Sequence, residues 1–172
     1  EEEARQAGAN FFIAKPLFRS TIFDTFSRLG TACGVSREAE MEKQDFGDRR
    51  VLLVEDNDLN REIAQSLLEM HGIQTDTAEN GAEAVAAFEK APKGYYSAVL
   101  MDIRMPVMNG LEACRRIRDL EKHKGGMVPI LAMTANAFDE DKAQAYEAGM
   151  TGYLVKPLEV KALLEELQAI WQ

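Results

Sequence analysis

Cysteine is scarce in this chain, with 2 residues among 172. Cys33 and Cys114 cannot build a disulfide framework, and their spacing does not fit a cysteine-based metal site. Both are therefore expected to be free thiols, as in a reducing cytosol. No stretch approaches the roughly 18 apolar residues of a membrane span, and the acidic start, Glu1–Glu3, lacks the positive charge of a signal peptide. We expect a cytoplasmic protein without direct membrane contact.

Basic residues are the minority among the charges. The chain has 20 Lys and Arg against 29 Asp and Glu, a formal net charge of −9. Nucleic acid and anionic membranes are bound through clustered positive charge, so neither is an expected partner. The composition is 46% hydrophobic and 28% charged, which indicates a folded soluble domain and excludes disorder throughout.

From Arg50 onward, short apolar runs alternate with segments of helical periodicity. The expected strands are residues 51–54, 73–77, 98–101, 128–133 and 152–155. The expected helices are residues 59–70, 82–90, 111–122, 138–148 and 159–171. Five strand–helix units predict an α/β domain with a doubly wound parallel sheet and helices on both of its faces.

The first 48 residues offer one strand-like run and one apolar helix, which are too few for a core of their own. Residues 4–29, which begin ARQAGANFFIAKPLF, align without gaps on residues 145–170, which begin AYEAGMTGYLVKPLE. Such an internal repeat predicts that the chain begins inside a preceding domain of the same kind. The alternative is an N-terminal helical extension whose similarity arose by chance.

The repeat divides the chain into three parts. Residues 1–29 are predicted to be the C-terminal strand–helix fragment of an upstream domain, 30–49 a linker, and 50–172 a complete domain. Such a fragment would have an unpaired strand and an exposed apolar helix. We expect these elements to pack on a second molecule or to exchange with their equivalents, and so to form a dimer.

Polar side chains follow the predicted strands at their carboxyl ends, where open parallel sheets form their sites. They are Glu55, Asp56, Asp102, Thr134 and Lys156. If the first and third strands are neighbours, as in the doubly wound order 2-1-3-4-5, the three carboxylates converge. Two unit charges about 4 Å apart repel by about 4 kcal/mol at an effective dielectric near 20. Such a cluster either takes up protons or holds a divalent cation.

The residue types around this cluster suit Mg²⁺ and phosphate. Oxygen-only ligands favour Mg²⁺ over Zn²⁺, and the ammonium group of Lys156 can neutralise a phosphoryl oxygen. Thr134 is either a hydroxyl donor to that group or the cap of the following helix. Whether the Lys156–Pro157 bond is cis stays open. His71 and His123 are isolated and receive no role.

Residues 50–171 resemble the receiver domain of the two-component response-regulator family. The resemblance rests on the Glu55-Asp56 pair, on MDIRMPVMNG at 101–110, on Thr134-Ala135 and on GYLVKP at 152–157. It implies a flavodoxin-like sheet of five strands in the order 2-1-3-4-5, so that order is taken from the family. Glu55 stands where Asp is more usual, and Asn109 where Asp is frequent. Neither departure removes a required oxygen or charge.

The resemblance also implies the chemistry of the site. Asp102 would accept phosphate from a phosphohistidine, and Mg²⁺ would be held by Asp56, Asp102 and the backbone carbonyl of Arg104. Glu55 would act on the cation through water. Lys156 would pair with the acidic cluster before transfer and with the phosphoryl group after it. No other cofactor is expected.

Two further residues are implied as a switch. Thr134 would move toward the phosphoryl group, and the ring of Tyr153 would fill the space that it leaves. The resulting change would bias the surface formed by the fourth helix, the fifth strand and the fifth helix.

Two receiver domains in tandem resemble the C-terminal region of a hybrid sensor histidine kinase, and LAMTANA at 131–137 is similar to receivers of that group. The implied partners are a histidine kinase domain, as phosphohistidine donor, and a histidine phosphotransfer protein. The parent protein is compatible with a membrane anchor. The chain itself shows no ATP-binding kinase domain and would assist only its own phosphoryl transfer and dephosphorylation.

Three other classes of protein compete with the receiver interpretation. A haloacid-dehalogenase-type phosphatase needs a second Asp two residues after the nucleophile, where this chain has Arg104. A flavodoxin needs a neutral phosphate loop, but residues 55–58 read EDND. A receiver fold used only for docking, without phosphorylation, stays open.

Overall fold

Strands and helices alternate along the part of the chain that the computed structural model describes, which is residues 46–135 and 139–172. The strands are β1 (Arg50–Val54), β2 (Gln74–Ala78), β3 (Ala98–Asp102), β4 (Ile130–Thr134) and β5 (Gly152–Val155). The helices are α1 (Asp58–Met70), α2 (Gly81–Lys90), α3 (Gly110–Lys124), α4 (Asp139–Glu147) and α5 (Val160–Trp171). None of these helices combines the length and apolarity that membrane crossing requires.

All five strands belong to one parallel sheet in the order β2-β1-β3-β4-β5. This order and the α/β class are confirmed. Val54 of β1 lies opposite Met101 of β3, so the residues that follow these two strands emerge side by side. Residues 1–45 lie outside the described part of the chain. The N-terminal fragment, the domain boundaries and the dimer therefore stay predictions.

The central strands are buried on both faces, which explains why they read as continuous apolar runs. One face of the sheet packs on a cluster that includes Val54, Val99 and Ile117. The other face packs on a cluster that includes Leu53 and residues of α1 and α5, such as Leu68, Leu163 and Leu167. Helices therefore cover both faces, and the sheet between them is a rigid base for the residues at its carboxyl edge.

Three helices begin with the same local motif. Asn57, Asn80 and Asn109 are the N-caps of α1, α2 and α3, and each side chain accepts a hydrogen bond from the backbone N–H three residues on. This bond satisfies one of the amides that a helix start leaves unpaired. Asn57 and Asn80 follow the ends of β1 and β2 within three residues, so they fix how α1 and α2 leave the carboxyl edge of the sheet.

One strand begins later than its apolar run suggests. The expected strand started at Val128, but β4 starts at Ile130. The backbone N–H of Val128 donates to the Glu121 carboxylate at 2.5 Å, and Pro129 has no N–H to donate. The Glu121 side chain of α3 therefore takes the Val128 N–H, while the carbonyl of Pro129 still accepts from the Val99 N–H of β3 at 2.8 Å.

The chain just before β1 packs on α5. The ring of Phe46 meets that of Trp171 edge to face, with centroids 5.5 Å apart, and the Arg49 guanidinium lies 5.1 Å from the centroid of the Trp171 ring. Trp171 Nε1 donates to the carbonyl of Ser97 at 3.0 Å. Two residues that precede β1, Phe46 and Arg49, therefore pack on Trp171 at the end of α5.

Cys114 is expected to react slowly with thiol reagents. It is fully buried in α3, with its Sγ 3.2 Å from the carbonyl oxygen of Ala148. Burial raises its pKa to about 11, so only about one thiol in a thousand is ionised at pH 8. In a Cys33→Ser variant, we expect Ellman's reagent to modify native protein at least about a hundredfold more slowly than urea-unfolded protein. Equal rates would show that the thiol is accessible.

Candidate functional site

Three carboxylates gather at the carboxyl edge of the sheet. Glu55 and Asp56 follow β1, and Asp102 is the last residue of the neighbouring strand β3. One oxygen atom from each residue lies within 4.8 Å of the other two. Glu55 and Asp102 are 2% and 6% exposed, whereas Asp56 is open to solvent. We call these three residues the acidic cluster.

The ammonium group of Lys156 lies against the acidic cluster. Its Nζ is 2.5 Å from Glu55 Oε2 and 2.5 Å from Asp102 Oδ2. The backbone N–H of Lys156 donates to the carbonyl of Thr134 at 2.8 Å, so the ends of β4 and β5 fix the point from which the side chain extends. The Lys156–Pro157 peptide bond is cis, which answers the question that the sequence left open.

The acidic cluster keeps Lys156 charged. Burial by itself would lower the pKa of this ammonium group, since burial penalises the charged form. The hydrogen bonds and charges of Asp102 and Glu55 outweigh burial, and the pKa of Lys156 is raised above its ordinary value. The site therefore holds a permanent cation that both buried carboxylates share.

Each oxygen of the Asp102 carboxylate has a defined partner. Oδ2 pairs with Lys156, and Oδ1 accepts a hydrogen bond from the backbone N–H of Arg104 at 3.0 Å. Arg104 and Asp56 also line an open cleft of about 550 Å³. The exposed guanidinium of Arg104 lies 3.7 Å from a carboxylate oxygen of Asp141 in α4. The Asp102 carboxylate is thus oriented, and two residues beside it, Asp56 and Arg104, line a cleft that a ligand can enter.

Thr134 lies on β4, the neighbour of the strand that carries Asp102, and Tyr153 lies one strand further, on β5. Thr134 is buried at the end of β4, one residue beyond Met133, the register partner of Asp102. Tyr153 is half-buried in β5, and the Lys142 Nζ lies 4.4 Å from the centroid of its ring. The switching roles of both residues stay predictions.

Two residues at the site were missed by sequence reasoning. The side-chain amide of Asn60 donates to Glu55 Oε1 at 3.2 Å, and Arg61 Nη1 donates to the backbone carbonyl of Glu55 at 2.9 Å. Both belong to the first turn of α1. A usable signal is present in the sequence, because side chains of a first helical turn lean back toward the strand end that precedes the helix.

Gly110 allows the main chain to approach Asp102 closely. It is the first residue of α3, and its N–H donates to the carbonyl of Ile103 at 3.0 Å. A Cβ atom at this position would lie 2.1 Å from the backbone oxygen of Asp102. Only a residue without a side chain fits there, so the glycine of the MDIRMPVMNG motif has a steric role beside the acidic cluster.

Replacing Gly110 with Ala is therefore expected to destabilise the domain by about 2–3 kcal/mol, the cost of forced overpacking. Urea unfolding measures this loss. Gly152→Ala is the matched control, since its Cβ would meet a side-chain methyl group of Leu131 at 2.8 Å and not a backbone atom. A Gly110→Ala loss no larger than that of Gly152→Ala would contradict the steric role.

The charge balance at the acidic cluster suits a divalent cation. The three carboxylates carry three negative charges, and the Lys156 ammonium offsets one of them, so two remain. Asp56 has no ion-pair partner within residues 46–135 and 139–172. Carboxylate oxygens facing an open cleft are ligands that Mg²⁺ accepts. The residues present therefore fit a magnesium ion.

A five-stranded doubly wound sheet with an acidic cluster and a lysine at its carboxyl edge defines a class of α/β domain with a phosphate- and metal-compatible site. Residues 51–168 match the family described as the response regulator receiver domain. This match spans more than half of the chain. The chain therefore belongs to the response regulator receiver family.

Known proteins resemble the chain in sequence and in structure. Hybrid signal transduction histidine kinase I of Dictyostelium discoideum is 37% identical over 119 residues, which are 68% of this chain and 7% of that protein. The receiver domain of sensor histidine kinase PA1611 from Pseudomonas aeruginosa, solved with a magnesium ion in its active-site cleft, has a TM-score of 0.65 and 38% identity. That match covers 73% of this chain and 100% of the other.

A third match comes from a complex. The co-crystal structure of the Saccharomyces cerevisiae phosphotransfer protein Ypd1 with the receiver domain of Ssk1 has a TM-score of 0.65 and 36% identity. It covers 70% of this chain and 87% of the other. The likenesses concern the receiver domain, and the chain spans a small part of the hybrid kinase that it matches.

Proposed function

We propose that this chain is a phosphoacceptor receiver domain of a two-component phosphorelay, in which Asp102 takes a phosphoryl group from a phosphohistidine. The observation that carries the proposal is the position of Lys156, whose ammonium lies 2.5 Å from both Asp102 and Glu55. A carboxylate that is oriented by a cation and lies beside a cluster of metal-compatible oxygen atoms is a suitable phosphate acceptor.

The metal required for this reaction would be held by Asp56, Asp102 and the backbone carbonyl of Arg104, with Glu55 acting through water. When bound, Mg²⁺ neutralises the charge on the phosphoryl oxygens. The support for this assignment is the acidic cluster, whose charge Lys156 offsets only in part. A magnesium ion is also present in the related receiver of Pseudomonas aeruginosa.

Asp102 is the nucleophile of the proposed transfer. A bond forms between a carboxylate oxygen of Asp102 and phosphorus while the bond between phosphorus and the histidine nitrogen breaks, and the electron pair leaves with the imidazole. The N–H of Arg104 holds Oδ1 and Lys156 holds Oδ2, so the carboxylate is oriented before the donor arrives. Lys156 then moves to the transferred phosphoryl oxygens.

Phosphorylation would change the local charge from one negative unit to nearly two. We propose that the Thr134 hydroxyl and Lys156 move toward this new charge and that Tyr153 follows. The main-chain hydrogen bond between Lys156 and Thr134 connects the two residues, and Lys142 of α4 lies 4.4 Å from the Tyr153 ring. These contacts link the site to β5 and α4, two of the three elements of the proposed switch surface.

The parent protein is proposed to be a hybrid histidine kinase in the cytoplasm or at a membrane. Residues 1–29, 30–49 and 50–172 would be the end of an upstream receiver, a linker and a complete receiver. A histidine kinase domain would donate the phosphoryl group, and a histidine phosphotransfer protein would accept it. The relative from Dictyostelium discoideum and the complex with Ypd1 support these roles.

The exposed start of α1 supports a protein partner at this edge of the sheet. Leu59 and Ile63 are 61% and 44% exposed, and their spacing of four residues places both on one face of the helix. The helix begins two residues after Asp56, so this apolar face starts within a few residues of the acidic cluster along the chain. A phosphotransfer protein docked there would bring its histidine toward Asp102.

A phosphatase of the haloacid-dehalogenase type is the second candidate, and it is disfavoured. Its general acid would occupy the position of Arg104, whose guanidinium cannot give up a proton at neutral pH. That guanidinium instead lies near Asp141. Use of the fold as a docking module without phosphorylation is the other alternative.

One experiment separates these functions. The chain is incubated with acetyl phosphate and Mg²⁺, and its mass is followed. A receiver gains one phosphoryl group in a reaction that needs the metal. Rapid turnover of phosphomonoesters without a lasting adduct would favour the phosphatase, and no adduct under any condition would favour the docking module.

A further inference from the structure

Glu55 is a buried carboxylate whose two oxygens have different partners. Oε2 pairs with the charged Lys156, and Oε1 accepts a hydrogen bond from the neutral side-chain amide of Asn60 at 3.2 Å. We infer that Asn60 is a positioning residue for the proposed phosphoryl transfer, because it holds the Glu55 carboxylate at the acidic cluster. The inference rests on the proposed function of that cluster.

A glutamate at this position needs such a partner. Its side chain has one more rotatable bond than that of the aspartate more usual in the family, so more rotamer freedom must be lost to place the carboxylate. Glu55 is only 2% exposed, and water cannot replace a missing partner freely. The single hydrogen bond from the Asn60 amide gives Glu55 Oε1 a partner and also restricts the rotamers of the Glu55 side chain.

Asn60 is itself held firmly. Its backbone N–H donates to the side chain of Asn57, the N-cap of α1, at 3.0 Å. The next residue, Arg61, donates to the backbone carbonyl of Glu55 at 2.9 Å and pairs with Asp58 at 2.5 Å. The first turn of α1 therefore hydrogen-bonds to Glu55 twice, through Arg61 to its main-chain carbonyl and through Asn60 to its side chain.

The other capped helices show why this residue is an amide. In α2, the residue three positions after the cap is Glu83, which turns back to accept hydrogen bonds from Asn80 and from the N–H of Glu79. In α3 the same position is Glu112. A carboxylate at this place in α1 would add a fourth negative charge beside the acidic cluster. Asn60 keeps the backbone hydrogen bond to the N-cap residue Asn57, and its side chain supplies a neutral donor to Glu55 instead.

The neutrality of the amide matters during the proposed reaction. Lys156 is shared between Glu55 and Asp102, and it leaves Glu55 when it follows the phosphoryl group. Asn60 then remains as the side-chain partner that orients Glu55 in the described part of the chain. Because the amide carries no charge, it holds the carboxylate without offsetting the negative charge that the cation requires.

The first test compares Asn60→Ala with wild type for Mg²⁺ binding by calorimetry. We expect the dissociation constant to rise about threefold to tenfold, because Glu55 acts on the cation through water and loss of a direct ligand's supporting hydrogen bond costs about tenfold or more. Gln65→Ala is the matched control. It removes an amide from the same helix, and that amide bonds to Glu69 and not to the acidic cluster. Its dissociation constant is expected to stay within about twofold of wild type.

A compensating pair tests whether Asn60 acts through Glu55. Glu55→Asp draws the carboxylate back by one methylene group, so Asn60→Ala should weaken binding no further in that background. Asn60→Gln extends the amide by one methylene group. The double variant Glu55→Asp/Asn60→Gln is therefore expected to bind Mg²⁺ more tightly than Glu55→Asp alone, by about threefold or more.

A metal-free measurement completes the test. The side-chain amide protons at position 60, followed by NMR, should exchange slowly in wild type, rapidly in Glu55→Asp, and slowly again in the Glu55→Asp/Asn60→Gln double variant.

An unchanged Mg²⁺ dissociation constant in Asn60→Ala, or an Asn60→Ala loss in the Glu55→Asp background equal to that in wild type, overturns the inference. Wild-type protein that binds no Mg²⁺ refutes the proposed function instead, and amide exchange then decides separately whether Asn60 holds Glu55.

Discussion

Replacement of Asp102 by Asn is expected to abolish phosphorylation of the chain by a phosphohistidine donor. The amide has no anionic oxygen to attack phosphorus, so no acyl phosphate can form. The shape of the side chain is kept, and an amide oxygen can still accept the hydrogen bond that Arg104 donates to Oδ1. The fold should therefore survive, and labelling with radioactive phosphate measures the loss directly.

Asp58→Asn is the matched control for this variant. Asp58 also lies at the carboxyl edge of the sheet, but its side chain is 85% exposed and pairs with Arg61. Its replacement removes one negative charge near the site and leaves the Asp102 contacts in place, so labelling should persist. Labelling of Asp102→Asn at the wild-type level would place the acceptor elsewhere.

Replacement of Asp56 by Ala is expected to weaken Mg²⁺ binding by more than about a hundredfold. Loss of groups that merely support a metal ligand costs up to about that factor, and Asp56 is proposed to be a direct ligand. The variant also reduces the negative charge around Lys156 from three carboxylates to two. Calorimetric titration with MgCl₂ gives the dissociation constant.

The metal-free Asp56→Ala protein is expected to be no less stable than wild type. Asp56 is exposed, and it makes no ion pair with a residue of the described ranges, whereas it lies within 4.8 Å of two other carboxylates. Urea unfolding in the presence of a chelator tests this point. Asp58→Ala controls for general electrostatic attraction of the cation. Equal Mg²⁺ affinities in wild type and Asp56→Ala would refute the metal site.

The fold could be predicted from the sequence because its signals are local. Buried parallel strands read as apolar runs, and Asn80 with Glu83 marks a helix start that the structure confirms. The error at Val128 has a tertiary cause, since the Glu121 carboxylate takes the N–H that the ladder would have used. The strand order itself came from the family resemblance and not from any local pattern.

The acidic residues of the site could be identified from the sequence because each lies at the end of an apolar run. The residues that support them, Asn60 and Gly110, were not identified in these roles. Asn60 reads as an ordinary helix position until its rotamer places the amide 3.2 Å from Glu55. Gly110 reads as part of a motif until the 2.1 Å approach of a Cβ to the Asp102 carbonyl shows why no side chain fits. The place of Asn60 in the first turn of α1 was a usable signal, but the contacts of both residues depend on interatomic distances that the sequence alone does not fix.

The most direct test of the proposed phosphoacceptor is chemical mapping of the modified residue. Protein treated with acetyl phosphate and Mg²⁺ is reduced with borohydride, which converts an aspartyl phosphate to homoserine and leaves free carboxylates intact. Peptide mass spectrometry then locates the homoserine. We predict homoserine at position 102 alone, dependent on Mg²⁺. Homoserine in place of Asp56 or Asp58, or phosphate found on His71 or His123, would contradict the assignment of Asp102 as the acceptor.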